Sequence, residues 1–223
     1  MKLYTRYNNE ELFKMMQSLV PYDVIKGTDF NHWTDASSYL QWVIEKGDDI
    51  AVNIDLDCFV TDWSVVEELV RDFKNGEYTH AGIPDAGHLQ GRNNTSWVVQ
   101  NPFFNIFSSS RVLWHYGRTN MKWEDISRMG FKMEWYHQRP SFVSEYVQCM
   151  HEPFNGIFNW LYEVGNPMWL QGELHKDGIS TIIKYNGKPF ALHSWYSREY
   201  KCDQVQKKRI DNLYKEACQI SQL

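Results

Sequence analysis

Apolar positions recur along this chain in two rhythms, one of period two and one near 3.6, and they alternate through its first third. Residues 2–6 read as a short strand. Asn9 is placed to cap a helix whose apolar residues Leu12, Phe13, Met16, Leu19 and Val20 share one face, with Pro21 closing it. Residues 22–26 form a second strand candidate, ended by Gly27. Thr34 is placed to cap the next helix, which turns Leu40, Val43 and Ile44 inward and stops at Gly47. Residues 48–60, DDIAVNIDLDCFV, have an apolar middle and the length of a central strand. Ser64 and Glu67 have capping-box spacing at the head of a helix with Val65, Val66, Leu69, Val70 and Phe73 as its buried stripe and Gly76 at its end. Strands that alternate with helices imply parallel pairing through helical crossovers, hence an α/β fold.

The later pattern is less regular. Residues 78–83 and 97–107 read as strands, separated by a polar, glycine-bearing surface loop over 84–96. Glu152 and Pro153 open a helix with proline in its first turn, where the missing N–H costs nothing. Phe154, Ile157, Phe158 and Leu161 line one face of that helix, and Gly165 stops it. Asn186-Gly187 between residues 179–185 and 188–193 predicts a hairpin, because that pair suits the left-handed positions of a type I′ turn. A last helix spans about 205–221 and turns Ile210, Leu213, Tyr214 and Ala217 inward.

Composition narrows the class. With 43% hydrophobic and 23% charged residues in 223, the chain can bury a core without disulfides or structural metals. A formal net charge of −5 argues against nucleic acid or an anionic membrane as a general partner, since both favour a basic surface. The four cysteines form no CxxC pair, no apolar run approaches a bilayer span, and the N-terminus has no signal-like apolar core. These features predict a cytoplasmic protein with reduced thiols and no transmembrane segment. The aromatic content is high, with 10 Trp, 13 Tyr and 12 Phe, and aromatics serve both cores and the faces of sugars and bases.

The chemistry centres on Asp55 and Asp57. On a strand they would point to one side, with Val52, Ile54 and Leu56 on the other. Adjacent carboxylates repel, and a divalent cation relieves the repulsion. Mg²⁺ or Mn²⁺ prefers oxygen donors and takes one or two carboxylates beside phosphate oxygens and water. Strand C-terminal ends are also where open α/β sheets bind ligands.

The segment DDIAVNIDLDCFVT (48–61) resembles the Asp-x-Asp segment of GT-A-fold glycosyltransferases. YTHAGIPD (78–85), NPFFNIFS (101–108) and GKPFALH (187–193) resemble later segments of the same fold in order and spacing. The resemblance implies a single Rossmann-like domain over 1–223, with a mixed central sheet flanked by helices and a C-terminal hairpin plus helix. Residues 1–60 would form an abbreviated nucleotide- and metal-binding half, 61–200 the acceptor-side half and 201–223 the terminal helix. It further implies transfer of a sugar from a nucleotide-diphosphate sugar to a glycan, lipid-linked, protein or modified nucleic-acid acceptor, with Mn²⁺ or Mg²⁺ held by Asp55, Asp57 and His193. Glu152 takes the position of a base on the acceptor hydroxyl, which favours inversion of the anomeric centre, and Asp57 a direct part in the reaction.

Among further candidates on the donor side, Asp35 would meet the ribose, Asn155 the donor sugar, and Lys188 with Arg198 the diphosphate. Asp85, His88 and Arg92 lie in or beside the 84–96 loop, and Trp195 and Tyr196 are candidate sugar platforms. Two other readings stand beside this one. The first is another metal-dependent transferase such as a nucleotidyltransferase, and the second is a non-catalytic carbohydrate-binding protein.

Overall fold

The computed structural model describes residues 1–84, 97–138 and 152–222. Strand β1 (Lys2–Arg6) leads to helix α1 (Glu10–Gln17), and the Asn9 side chain accepts from the N–H groups of Glu11 and Leu12. The helix ends at Gln17, so Leu19 and Val20 lie beyond it. Strand β2 (Val24–Gly27) follows. A 3₁₀ turn (Trp33–Asp35) then precedes α2 (Ala36–Lys46). Thr34 does not cap α2: it lies inside the 3₁₀ turn, Asp35 takes the N-cap position, and the Thr34 hydroxyl is paired with the His32 ring at 2.7 Å.

The expected strand over 48–60 is two strands in two sheets. β3 (Ile50–Ile54) ends at Asp55, whose carbonyl accepts from Cys58 N at 3.0 Å, and the chain re-enters as β4 (Cys58–Val60). Aspartate is favoured at the first position of such a turn. Helix α3 (Trp63–Asn75) is capped by Asp62, which accepts from Ser64 N and Val65 N at 2.9 and 3.3 Å. The Ser64–Glu67 box therefore falls inside the helix, since the extended residue just ahead of Trp63 is an aspartate able to cap.

The order continues with β5 (His80–Pro84), β6 (Gln100–Ser108), α4 (Ser109–Tyr116), α5 (Trp123–Ile126) and α6 (Asn155–Val164). Then come β7 (Pro167–Trp169), β8 (Gln171–Leu174), β9 (Thr181–Tyr185), β10 (Lys188–His193) and α7 (Gln204–Ile220). Glu152 and Pro153 precede α6 rather than open it. The hairpin turn is as expected, with φ of 49° at Asn186 and 75° at Gly187.

Two sheets result among the described residues. The larger has the order β2-β1-β3-β6-β5-β7, and the smaller has the order β4-β10-β9-β8. β1 pairs in parallel with β2 and β3 through the expected helical crossovers, whereas β6 runs antiparallel to both β3 and β5, so the sheet is mixed. The predicted hairpin is thus the middle of an antiparallel four-stranded sheet.

Both faces of the larger sheet are covered, and its strands sort their side chains by parity. Leu3, Ile50, Val52, Ile54, Phe104 and Ile106 enter a core with α1, α3, α7 and the smaller sheet. Tyr4, Ala51 and Phe107 enter a second core with α2, α4 and α6. A period of two divided between two covered faces is why β3 reads as a continuous apolar run.

Candidate metal centre

Asp55, Asp57 and His193 converge from two segments where the two sheets meet, and their ligand atoms all lie within 4.8 Å of one another. The turn between β3 and β4 carries both aspartates. Pairing of β4 with β10 then sets His193 opposite Cys58, next to Asp57. The two carboxylates come together because the chain turns between sheets, and not because they alternate along one strand.

Surroundings hold each ligand. Asp55 N donates to Phe103 O at 2.8 Å, and Leu56 N donates to the Asp55 carboxylate at 3.0 Å. The Ser194 hydroxyl donates to Asp57 Oδ2 at 2.8 Å, and Ser194 N donates to Asp57 O at 3.0 Å. His193 is stacked on Phe103 with ring centroids 4.1 Å apart, and Trp195 meets it edge-on at 4.6 Å. Asp57 and His193 are buried, while Asp55 is half-buried at the opening.

The charges are arranged unequally. Burial, and then the charge of Asp57, push the Asp55 carboxyl above its ordinary value, with Arg6 and His193 opposing. Burial opposes ionisation of Asp57 as well, but His193 and the Ser194 hydroxyl outweigh it and hold that carboxyl low. His193 Nε2 lies 3.4 Å from Asp57 Oδ1. Neither that oxygen nor His193 Nδ1 has a formed hydrogen bond among the described residues, although both are buried. Buried polar atoms without partners are costly. Two carboxylates, an imidazole and an orphaned carboxylate oxygen fit a divalent cation. The oxygen-rich set suits Mn²⁺ or Mg²⁺.

A cavity of about 330 Å³ opens on this cluster, and its walls include Asp55, His193, Glu152, Trp195, Tyr196 and Arg198. Four of the residues singled out in the sequence thus meet there with the two expected sugar platforms. Trp195 is itself enclosed, its indole N–H donating to Thr181 Oγ1 at 2.9 Å, whereas Tyr196 is exposed at the rim. Trp195 and Tyr196 have φ of 62° and 61°, two consecutive non-glycine residues in the left-handed region. Such strain concentrates at functional sites. Arg209 holds this turn by donating to Trp195 O at 3.0 Å and Ser180 Oγ at 2.8 Å.

Three predicted residues are not brought into this cavity. Lys188 begins β10, roughly 17 Å of strand from His193, and pairs with Glu68 at 2.7 Å. Asp35 closes the 3₁₀ turn by accepting from His32 N at 2.8 Å. Asn155 starts α6 but is not a wall residue, its neighbour Phe154 being one instead. Asp85, His88 and Arg92 lie outside the described residues. Sequence reasoning missed Arg6, Phe103, Ser194 and Trp33. Arg6 ends β1, which runs parallel to its neighbour β3, so its place at a strand end was the available signal. The others needed the tertiary fold.

Comparison with known proteins finds no matching family model and no matching curated protein. The functional reading therefore stands on the residues of this site.

Proposed function

We propose that this protein is a metal-dependent glycosyltransferase that moves a sugar from a nucleotide-diphosphate sugar to an acceptor hydroxyl. The observation that carries the reading is the meeting of Asp55, Asp57 and His193 at a cavity that Glu152 also lines. Mn²⁺ or Mg²⁺ held there would supply Lewis-acid stabilisation of the departing nucleoside diphosphate. Asp57, kept ionised by His193 and Ser194, would hold the cation together with His193 and Asp55, and Asp55 faces the cavity. The Arg198 guanidinium in the wall complements the diphosphate charge.

Glu152 takes the proton of the acceptor hydroxyl as the new oxygen–carbon bond forms and the bond from the anomeric carbon to the diphosphate oxygen breaks. A base in the wall, separate from the metal ligands, suits inversion. Phe103 and Trp195 shield the imidazole from water and fix its orientation.

The test is incubation of the protein with a panel of nucleotide sugars, with and without Mn²⁺, reading nucleoside diphosphate released. At least one donor should turn over, only with metal. Asp57→Ala should abolish this, and Glu152→Gln should lower transfer by about 10²–10⁴-fold. If no donor binds or turns over in the presence of metal, the reading fails.

A further inference from the structure

A second cavity of about 300 Å³ adjoins the first, with Trp33 and Pro153 in the walls of both. Its remaining walls come from Thr34 in the 3₁₀ turn, from α2, from α5 with the two residues after it, and from Ile157 on α6. Glu152, the proposed base, is the residue next to the shared Pro153.

The wall chemistry is neutral and rich in hydroxyl and amide groups. Ser37 and Ser127 donate inward, to Pro153 O and Glu124 O, which leaves lone pairs to accept from a ligand. Gln41 gives one amide N–H to Glu45 at 2.9 Å and keeps its carbonyl and second N–H. Ser38 and Arg128 are exposed and have no side-chain partner among the described residues. Trp33 stands at the junction with 46% of its surface exposed, so an indole face is open to a ligand.

A ring that is apolar on one face and hydroxylated around its edge matches this combination. One cation, Arg128, beside the carboxylate of Glu124 gives no net positive charge for a phosphodiester chain. The polar lining is equally unsuited to an acyl chain. Given the glycosyltransferase reading above, on which this step rests, we infer that the acceptor is a carbohydrate of at least two units. Its terminal hydroxyl lies at Glu152, and a more distant neutral sugar occupies the second cavity, stacked on Trp33.

The probes are maltotriose, cellotriose, chitotriose and mannotriose, titrated by saturation-transfer NMR without metal or nucleotide. At least one should bind the wild-type protein. Trp33→Ala should weaken that binding by at least tenfold. Ser38→Leu and Arg128→Ala, which touch only the second cavity, should weaken it severalfold while leaving Mn²⁺-dependent release of nucleoside diphosphate without acceptor unchanged. If no trisaccharide binds, or all three variants bind as the wild type does, the inference is overturned. The donor assay separates the two claims. Trisaccharide binding without any metal-dependent donor binding would sink the transferase reading and leave a saccharide site. The converse would remove the second cavity alone.

Discussion

Asp57 has little freedom, because one carboxylate oxygen is bound by Ser194 while the other faces His193 with no hydrogen bond formed. The serine sets which oxygen is left for a cation. Supporting contacts of this kind change metal affinity by about 10–100-fold, so Ser194→Ala should weaken Mn²⁺ binding by that factor with the fold retained. Unchanged affinity by calorimetry would show that the hydroxyl has no orienting role. His80 illustrates a different use of burial. It is enclosed in β5, and burial brings its pKa down to about 3. The unfolded imidazole titrates near about 6.5. Between those values the unfolded chain binds a proton that the native chain refuses, so stability falls as pH drops through about 6.5 towards 3. At pH 5 the loss from this residue is about 2 kcal/mol relative to pH 7. His80→Asn should flatten the dependence over pH 7 to 5 in urea titrations. Equal slopes in the two proteins would contradict the assignment.

At the scale of elements, the site is built by a turn and by the end of a hairpin, and each has its own support. The turn 194–196 keeps two left-handed residues in place, conformations that cost on the order of 1–3 kcal/mol each. Arg209 reaches from α7 to hold the Trp195 carbonyl and the Ser180 hydroxyl, and also lies 3.5 Å from Asp177. Arg209→Met should let the turn relax, weakening Mn²⁺ binding about tenfold while far-UV circular dichroism stays unchanged. Arg209→Lys should recover part of the loss, and equal affinity in all three proteins would refute the role. Most elements were legible in the sequence because short-range signals specify them: Asn9 as a cap, Asn186-Gly187 as a turn, and the stripe of α3. The break at Asp55 was not legible. An apolar run on both sides of Asp-Leu-Asp looks continuous, and only long-range pairing with β6 on one side and β10 on the other reveals two strands. Lys188 misled for the same reason, since nearness in sequence to His193 is distance along an extended strand.

For the whole molecule, the ligands belong to different sheets. Asp55 leaves the larger sheet, while Asp57 immediately precedes the Cys58–His193 pairing of the smaller one. The late histidine was readable as a candidate, and the sheet it belongs to was not. A cation held by all three would require the two sheets to be docked, so its binding energy would add to the stability of the junction as a whole. At free metal 100-fold above Kd that linkage is worth about 2.7 kcal/mol, or roughly 5–10 °C in Tm for a chain of this length. Without a cation, the site holds two carboxylates side by side in largely buried surroundings, an arrangement that costs stability. Asp55→Asn keeps the shape of the side chain and removes one of the two charges. It should therefore raise Tm in the presence of a chelator and lose the metal-induced rise, a crossing of the two melting series that simple damage to the fold cannot produce. A lower Tm in both conditions would show that Asp55 serves the structure of the turn rather than a cation.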